Sequence, residues 1–276
     1  SEGWPVVKRV AVLKLGGELI ETKDKLKAIG RLIASASKKN RLVVVHGGGR
    51  EIDAALAQVG IPKRQVDGLR VTDEDTLNIV VSVLAGSINT KFVAAINAAG
   101  GHAVGLTGAD AGLAPVKKAA PHKATSGETV DLGLVGMPVS SSRSPVLLET
   151  ICRAGYVPVI ACVSASKDGQ LFNVNADTLA GYIAAQLKAK RLVIAGATAG
   201  VLDKKNATIP RLDKERIEKL VKSGTANAGM VAKLAACQAA LKGGAKNVVI
   251  ADGRSPARLL KALNGEKTSA TTKVVD

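Results

Sequence analysis

Two runs of glycine directly follow apolar, β-branched stretches of the chain. The first, in VLKLGGE, contains Gly16 and Gly17, and the second, in VVHGGGR, begins with Gly47 and Gly48. Glycine is unfavourable inside strands and helices, so runs at an element boundary indicate a close approach of the backbone to another group. Backbone N–H groups that glycine exposes, followed by the start of a helix, attract anions. The two runs therefore predict a phosphate-binding site, with Lys14 just before the first run as an additional positive charge.

Other glycine-rich motifs of known chemistry are absent from the sequence. The chain has no G-x-x-x-x-G-K-[ST], which excludes a P-loop, and no G-x-G-x-x-G after a strand, which leaves a dinucleotide site weakly supported. The HGGG tetrapeptide also forms oxyanion holes in lipases and esterases, but those enzymes require a G-x-S-x-G elbow that this chain lacks. Hydrolysis is therefore disfavoured.

The elements that must position the glycine runs alternate along the chain. Short β-branched stretches are separated by longer Ala/Leu/Lys-rich stretches with helical spacing. Nearly continuous apolar strands between helices predict a mainly parallel sheet covered on both faces, a three-layer αβα sandwich. Ligands bind at the carboxyl ends of strands in such sheets, where both glycine runs lie. The predicted strands are Arg9–Leu15, Arg41–His46, His102–Thr107, Tyr156–Val163, Lys190–Gly196 and Lys246–Asp252, with a hairpin-like excursion at Val116–Val139 and a turn-bearing segment at Val163–Asn175.

The composition limits the choice of partner. A chain of 276 residues, 46 % of them hydrophobic, can bury a sizeable core. It carries 39 Lys+Arg against 23 Asp+Glu, a formal charge of +16, but the basic residues are scattered and only 2 % of residues are aromatic. Nucleic acid is not expected as a partner, because bases would find little to stack on. An anionic substrate or an acidic protein remains compatible with this charge.

The sequence also predicts the cellular compartment. No apolar run approaches the ~18–20 residues of a membrane span, and SEGWPVVKR lacks the apolar core of a signal peptide, so we expect a cytoplasmic protein. Cys152, Cys162 and Cys237 are widely separated, without CxxC spacing. They predict buried free thiols rather than disulfides or a zinc site.

Further segments complete a set of motifs with the two glycine runs. They are VDGLRVTD (Val66–Asp73), GLTGADAG (Gly105–Gly112), FNVNADTLAG (Phe172–Gly181) and GMVAKLAAC (Gly229–Cys237). Together with VLKLGGE and VVHGGGREID, in this order and spacing, they resemble the amino acid kinase family over essentially the whole chain. Within that family, the branch that phosphorylates N-acetyl-L-glutamate is a close match. The resemblance implies a single amino acid kinase domain over residues 1–276, with an amino-acid-binding and dimerising lobe up to about residue 187 and a nucleotide-binding lobe from about residue 188.

The reaction that this resemblance implies is transfer of the γ-phosphoryl group of ATP to the side-chain carboxylate of N-acetyl-L-glutamate, in arginine biosynthesis. Because the attacking oxygen and the transferred group are both negative, catalysis requires positioning and positive charge. By resemblance, Lys14 holds the phosphoryl group in transit, Lys233 neutralises the leaving side, and Asp177 lies between them and orients both. Lys14 also has an argument of its own, because a lysine in a buried apolar strand is costly without an anion. Taken alone, Asp177 would be an ordinary acid in a first helical turn and Lys233 a surface residue.

Substrate recognition is assigned by the same resemblance. Arg70 in GLRVTD matches the family residue that binds the α-carboxylate of the amino acid, a task suited to a planar bidentate donor. Asn173 matches the family asparagine that also contacts the amino acid, and Asn175 is a nearby companion.

The glycine runs take phosphate and substrate contacts in this scheme. Gly16 and Gly17 are expected at the phosphates, and Gly47 and Gly48 are expected to offer amides to phosphoryl oxygens and to the substrate. For His46 we expect a structural role at the strand end rather than general base catalysis. A carboxylate nucleophile is already deprotonated at neutral pH and needs no base.

The nucleotide side departs from the family pattern. Where the family has a Thr/Ser-Asp-Val-x-Gly segment, this chain reads AGATAGVLD, so Ala197 stands at the position of the aspartate. Gly200, Val201, Leu202 and Asp203 keep the rest of the segment as expected nucleotide-side residues. ATP is expected to arrive with Mg²⁺, whose ligands would be mostly phosphate oxygens and water, so no protein metal ligands are predicted.

Regulation and assembly are predicted from the same comparison. Arginine-inhibited family members carry a helix ahead of the first strand that links dimers into hexamers. About nine residues precede the strand that begins near Val10, fewer than the ~12 that a useful helix requires. We therefore expect an arginine-insensitive homodimer.

Two rival interpretations remain open at the level of sequence. One is a related kinase acting on an amino acid attached to an acidic carrier protein, which the charge of +16 would favour. The other is a non-catalytic sensor of amino acid or nucleotide, for which Ala197 is the support. The presence of Lys14, Asp177 and Lys233 argues against the sensor.

Overall fold

The computed structural model of the protein describes residues 10–140 and 146–276. Residues 1–9, on which the expectations about an N-terminal helix and arginine depend, lie outside the described residues.

A large, mainly parallel sheet forms the centre of the fold, as predicted. Each of the six predicted strands contributes to it. No observed strand end differs from its predicted position by more than two residues. The strand order is β14-β16-β15-β13-β1-β2-β10-β5, and every neighbouring pair is parallel except β15 with β16. The strands are β1 (Ala11–Leu15), β2 (Leu42–His46), β5 (Ala103–Thr107), β10 (Val157–Ala161), β13 (Arg191–Gly196), β14 (Arg211–Leu212), β15 (Val248–Asp252) and β16 (Thr271–Val274).

Helices cover both faces of the sheet, which confirms the three-layer αβα architecture. They are α1 (Lys23–Ser37), α2 (Gly49–Gln58), α3 (Glu74–Val81), α4 (Asn89–Ala98), α5 (Val146–Arg153), α6 (Ala176–Gln186), α7 (Lys214–Lys222), α8 (Ala228–Lys242) and α9 (Pro256–Asn264). Helix α1 packs on α4 and α9, whereas α6 packs on α8, and both groups contact the central strands. The core is built from the strands and the inward helix faces, as the apolar pattern requires.

The two predicted interruptions form small β structures beside the main sheet. A four-stranded sheet contains, in spatial order, β11 (Val163–Ala165), β12 (Leu171–Val174), β9 (Val135–Pro138) and β6 (Val116–Lys118). Two hairpins accompany it: β3 (Gln65–Val66) with β4 (Leu69–Arg70), and β7 (His122–Lys123) with β8 (Thr129–Val130).

One helical run is longer and more apolar than the sequence analysis expected, since no apolar run was predicted to approach the length of a membrane span. Residues Glu74–Ala98 form a continuous helix that passes through a π-helical segment, Ser82–Ile88, between α3 and α4. By length and composition this run could cross a membrane, with a mean hydropathy of 1.8 over its most apolar window. Core helices of globular proteins pass the same test, and here the run packs against α1, α2 and β5.

Candidate active site

Two lysines meet one buried carboxylate at the centre of the molecule. Lys14 Nζ lies 2.8 Å from Asp177 Oδ1, and Lys233 Nζ lies 3.3 Å from Asp177 Oδ2. Lys14 comes from the end of β1, Asp177 from the first turn of α6, and Lys233 from α8. The structure therefore brings together three residues that are far apart in the chain. The nearest two in sequence, Asp177 and Lys233, are 56 positions apart.

The charges of this cluster support one another. Burial on its own would raise the pKa of Asp177, but Lys14 and then Lys233 outweigh it and hold the pKa below its usual value. Asp177 is thus ionised at neutral pH, and it provides a fixed negative charge between two cations. One positive charge remains in excess in this site, which suits it to an anion.

The local sequence explains why Asp177 points into the site. Asn175 caps α6, since its Oδ1 accepts a hydrogen bond from the N–H of Thr178 at 3.0 Å. The cap starts the helix so that Asp177 lies in its first turn, where a carboxylate also benefits from the helix dipole. Asn175 was expected as a substrate contact, and its side-chain oxygen is engaged in this cap.

The two glycine runs lie against each other. A Cβ atom on Gly17 would come within 3.0 Å of the Cα of Gly48, and a Cβ on Gly48 would come within 2.1 Å of Ile88 Cδ1. Part of the close approach that the glycines permit is thus between the two loops themselves. The N–H of Gly16 donates to Ala195 O at 3.0 Å, and that of Gly47 donates to Leu15 O at 3.4 Å. The backbone N–H groups of Gly17 and Gly48 are therefore more available to a ligand than those of Gly16 and Gly47.

His46 fixes the second glycine run through hydrogen bonds of its ring. The ring is fully buried, with Nδ1 3.2 Å from Gly47 O and Nε2 3.0 Å from Asn89 Nδ2. Because the amide of Asn89 donates, Nε2 is the acceptor and Nδ1 carries the proton that it donates to Gly47 O. Burial lowers the pKa of His46 to about 4, against a smaller opposing effect of the bond to Gly47. The ring is therefore neutral and is used to fix the loop.

A cavity of about 200 Å³ opens beside the second glycine run. Its polar wall includes Arg70, Asn173 and Asn175, and its apolar wall includes Ile52 and Leu84. The cavity thus collects the residues that the sequence assigned to the amino acid, together with the loop Gly47–Gly49. It also contains Cys162, whose thiol donates to His46 O at 3.0 Å and whose pKa is raised to about 12 by burial.

Arg70 has the geometry of an anion receptor. It is nearly fully buried on β4, and its Nη2 donates to Gly49 O at 3.2 Å and to Asp53 Oδ1. Its Nη1 is buried and has no hydrogen-bond partner among the described residues. A buried, unpaired N–H of a guanidinium is costly, so this atom calls for an acceptor from a ligand.

A tight turn positions Arg70. Strands β3 and β4 are joined by Asp67 and Gly68, which both have positive φ, at 48° and 77°. This is the Asp-Gly pattern of a two-residue hairpin turn. Sequence reasoning did not assign Asp53 or the hairpin, although Asp-Gly between the apolar residues Val66 and Leu69 was a readable signal for the turn.

Asn173 lies on β12 at the edge of the same cavity. Its Nδ2 donates to Thr72 Oγ1 at 3.2 Å, and its backbone N–H donates to Leu134 O. The side-chain oxygen of Asn173 is therefore left for a donor such as an amide.

A carboxylate that the sequence did not single out lies where the nucleotide is expected. Glu18 Oε1 accepts a hydrogen bond from the N–H of Ala197 at 3.1 Å, and both carboxylate oxygens lie above Gly16. Glu18 forms no ion pair among residues 10–140 and 146–276. Gly196 lies between Glu18 and Lys233, since a Cβ there would be 3.5 Å from Glu18 Oε1 and 3.8 Å from Lys233 Cε.

The remaining nucleotide-side residues hold their own loop. Gly200 has φ of 73° and packs tightly on Thr272, whose Oγ1 accepts from the N–H of Val201 at 2.8 Å. Leu202 bridges to Thr208, and Asp203 Oδ1 accepts from two N–H groups of the turn that follows. Gly200 and Val201 thus tie the loop to β16, whereas Leu202 and Asp203 hold the loop to itself.

The described part of the chain contains no group of three or more His, Cys, Asp or Glu side chains that could hold a metal ion. A divalent cation in this site would take most of its ligands from phosphate and water, and Glu18 is the carboxylate best placed to add one.

Comparison with known proteins supports an assignment of the chain to a family. Residues 9–252 match the model described as the amino acid kinase family. The acetylglutamate kinase of Zymomonas mobilis is 38 % identical over 285 residues, which cover 100 % of this chain and 94 % of that protein. The acetylglutamate kinase of Rhodospirillum centenum is 40 % identical over 284 residues, which cover 98 % of this chain and 91 % of that protein.

A solved structure shares the fold. N-acetylglutamate synthase from Neisseria gonorrhoeae, complexed with coenzyme A and N-acetyl-glutamate, superposes with a TM-score of 0.81 at 22 % identity. The match covers 98 % of this chain and 60 % of that chain, so the likeness describes part of the larger protein.

Proposed function

The chain belongs to the amino acid kinase family, and we propose from this premise that it phosphorylates the side-chain carboxylate of N-acetyl-L-glutamate. The γ-phosphorus of ATP forms a bond to a carboxylate oxygen and loses its bond to the bridging oxygen of ADP. The products are N-acetylglutamyl 5-phosphate and ADP, in arginine biosynthesis. The observation that carries the proposal is the Lys14–Asp177–Lys233 cluster beside a cavity that contains Arg70.

Positive charge is the main contribution of the protein to this transfer. Lys14 and Lys233 approach Asp177 from different elements, so they can contact the transferring group and the leaving oxygen from two directions. The pairing with Asp177 fixes their ammonium groups before the substrates arrive, which is the preorganisation that electrostatic catalysis requires. Lys14 and Lys233 are the residues that we assign to the reacting atoms, and Asp177 orients them.

The amino acid occupies the cavity of Arg70. Arg70 Nη1, which has no hydrogen-bond partner in the described part of the chain, binds the α-carboxylate of the substrate, and the side-chain oxygen of Asn173 accepts from the substrate amide. The apolar wall accommodates the acetyl group. The N–H groups of Gly48 and Gly17 face the reacting carboxylate and the phosphate oxygens, and neutral His46 holds the loop of Gly48 in place.

Magnesium fits this site as an ion that enters with ATP. When bound, Mg²⁺ would neutralise phosphate charge and make ADP a better leaving group. Glu18 is available to contact it, because its carboxylate is not paired with a cation among the described residues. The loop Gly200–Asp203 is assigned to the adenosine side of the nucleotide.

Assembly and location follow from the same proposal. We assign the amino acid to the half of the molecule that ends near residue 187 and the nucleotide to the half that follows. A homodimer in the cytoplasm is the proposed state, supported by the supply of ATP there and by the partly exposed apolar helix Glu74–Ala98. Light scattering on the purified chain tests the dimer.

Trapping of the acyl phosphate as its hydroxamate tests the reaction. The protein is incubated with MgATP and hydroxylamine, offering N-acetyl-L-glutamate beside glutamate, aspartate and N-acetylaminoadipate. Selective product from N-acetyl-L-glutamate supports the proposal. Absence of product from all four free amino acids would overturn it, and a carrier-linked amino acid would then be the substrate to try.

A further inference from the structure

Asp53 links the second glycine run to the arginine of the cavity. It lies on α2, four residues after Gly49, so its side chain is on the same helix face as that residue. Asp53 Oδ1 and Gly49 O both accept from Arg70 Nη2. Helix α2 therefore holds one nitrogen of the guanidinium at two points.

Lys63 holds the other oxygen of the same carboxylate. Its Nζ donates to Asp53 Oδ2 at 2.6 Å, and it lies in the segment that leads from α2 to β3. Partial burial acts to raise the pKa of Asp53, but the hydrogen bonds from Lys63 and Arg70 outweigh it, so the carboxyl stays ionised at neutral pH. The chain Lys63–Asp53–Arg70 contains two cations and one anion, which leaves a single positive charge for a ligand.

The planar shape of the guanidinium makes this arrangement directional. Once Nη2 is held by Asp53 and Gly49, rotation of the group is blocked and the direction of the N–H bonds on Nη1 is fixed. Nη1 is the buried nitrogen without a partner among the described residues, and Arg70 lines the cavity. The bonding of one nitrogen thus determines where the other can meet an anion.

We propose that Asp53 is a positioning residue for the α-carboxylate of the substrate, acting through Arg70 and itself held by Lys63. This inference deepens the proposed function and rests on it. It implies that Asp53 sets affinity for the amino acid and leaves the phosphoryl transfer unaffected. A purely structural salt bridge would instead affect every substrate and the stability alike.

The substrate analogue N-acetyl-L-isoglutamine separates these roles. It keeps the reacting side-chain carboxylate and replaces the α-carboxylate by a neutral amide, so it removes the charge that Arg70 would bind. For Asp53→Asn, we expect the KM for N-acetyl-L-glutamate to rise by about 10- to 100-fold, the range for a hydrogen bond to a charged group, while kcat stays within about 3-fold. The inhibition constant of the analogue, measured by competition, should change less than about 3-fold because its contact is neutral.

A second variant and a matched control complete the experiment. Lys63→Gln should show the same selectivity with a smaller rise in KM, about 3- to 10-fold, because Asp53 loses one of its two holders. Lys118→Gln breaks an exposed pair between the end of β6 and Asp131, which follows β8, and should leave both constants unchanged. If Asp53→Asn fails to fold in a thermal melt, Lys63→Gln decides the question.

Each result has a defined meaning. A rise in KM confined to N-acetyl-L-glutamate supports the positioning role. An equal loss for substrate and analogue, a fall in kcat alone, or no change would overturn it while leaving the kinase assignment intact. Absence of turnover by the parent protein would overturn the kinase assignment, and the inference with it, before any variant is compared.

Discussion

Lys14 Nζ lies 2.8 Å from Asp177 Oδ1, and only 7 % and 6 % of the two side chains are exposed. The pair joins the end of a central strand to the first turn of a helix. A buried ion pair contributes little net stability but is costly to break from one side, because the remaining charge loses its partner. This relation allows the catalytic and structural parts of the site to be measured separately.

Lys14→Met should abolish most of the turnover. Loss of a preorganised positive group beside the transferring phosphoryl group is expected to lower kcat by about 100- to 1,000-fold. Steady-state kinetics with N-acetyl-L-glutamate and MgATP measure this. Turnover equal to that of the parent would contradict the assignment of Lys14.

The double variant Lys14→Met, Asp177→Asn distinguishes charge from folding. It leaves Lys233, which is 21 % exposed, as the charge of the cluster, so the melting temperature should lie above that of Asp177→Asn, in which buried Lys14 also loses its partner, while turnover should stay low. Lys25→Met, which breaks an exposed pair with Glu21, is the control and should resemble the parent.

Arg70→Lys should weaken amino acid binding. A lysine keeps the charge but cannot bond Asp53 and Gly49 with one nitrogen while presenting a second to the substrate. We expect the KM for N-acetyl-L-glutamate to rise by about 10- to 100-fold with a small change in the KM for ATP. Arg64→Lys, at an exposed pair with Asp73, provides the comparison. Parallel rises in both KM values would argue against a specific role.

Gly48→Ala and Gly49→Ala form a matched pair for the second glycine run. A Cβ on Gly48 would meet Ile88 Cδ1 at 2.1 Å, whereas a Cβ on Gly49 has nothing within 4 Å. The atoms that this Cβ would meet are the ends of the flexible side chains of Ile88 and Leu84, so Gly48→Ala should lower the free energy of unfolding by about 1 kcal/mol and displace the loop, with a loss of activity. Gly49→Ala should be tolerated. Urea titration and kinetics on both proteins test this, and equal effects would show that the clash is relieved easily.

His46 should make stability depend on pH below neutrality. Its pKa of about 4 in the folded protein lies below the usual 6.5, so the unfolded chain binds a proton first as the pH falls. Stability should therefore decrease from pH 7 to pH 5 by about 2 kcal/mol through this group, and it should stop decreasing below pH 4. Urea titrations at several pH values measure the slope.

The comparison for this pH dependence is His46→Gln against His102→Gln. The first variant should lose the His46 component of the slope, because a glutamine does not titrate. The second replaces an exposed histidine and should keep the slope of the parent. Identical slopes in all three proteins would contradict the buried, neutral state of His46.

Glu18→Gln should strengthen nucleotide binding in the absence of magnesium. The amide retains an oxygen that can accept from the N–H of Ala197, but it removes a negative charge above the glycine run where phosphates are expected. We expect the dissociation constant of ADP in EDTA to fall by about 3- to 10-fold, and the gain to shrink or reverse with excess Mg²⁺. Calorimetry measures both. Glu21→Gln is the control, since that carboxylate is engaged by Lys25 and Arg50.

The architecture followed from apolar patterning, because buried parallel strands leave a strong signal. The strands of the large sheet that escaped prediction are β14, which has two residues and forms one edge, and β16, which reads TTKV and lies next to it. Short or polar strands are defined by the partner that they pair with, and local sequence contains little of that information. The length of the apolar helix Glu74–Ala98 was also not predicted. Polar residues interrupt its apolar residues, so no long uninterrupted apolar run marks it in the sequence.

Sequence could single out site residues that lie in a recognisable motif. It could not single out residues whose role depends on a contact with a residue far away in the chain. Lys14, Asp177 and Lys233 lie in motifs, and the structure places them in contact. Asp53, Lys63 and Glu18 are ordinary charged residues by local sequence. Their importance depends on Arg70 and Ala197, which lie 17 and 179 positions from Asp53 and Glu18 respectively.

Strand β1 is hydrogen-bonded to β2 on one side and to β13 on the other, with Lys14 opposite Val45 and Ile194. The backbone ladder therefore runs unbroken from β14 to β5 through the strand that supplies Lys14. Any movement of one half of this sheet relative to the other would be a torsion about its middle strands, because no gap in the ladder separates the halves. Outer strands would travel furthest in such a torsion, and Lys14 would stand close to the pivot, where its distance to either substrate changes least.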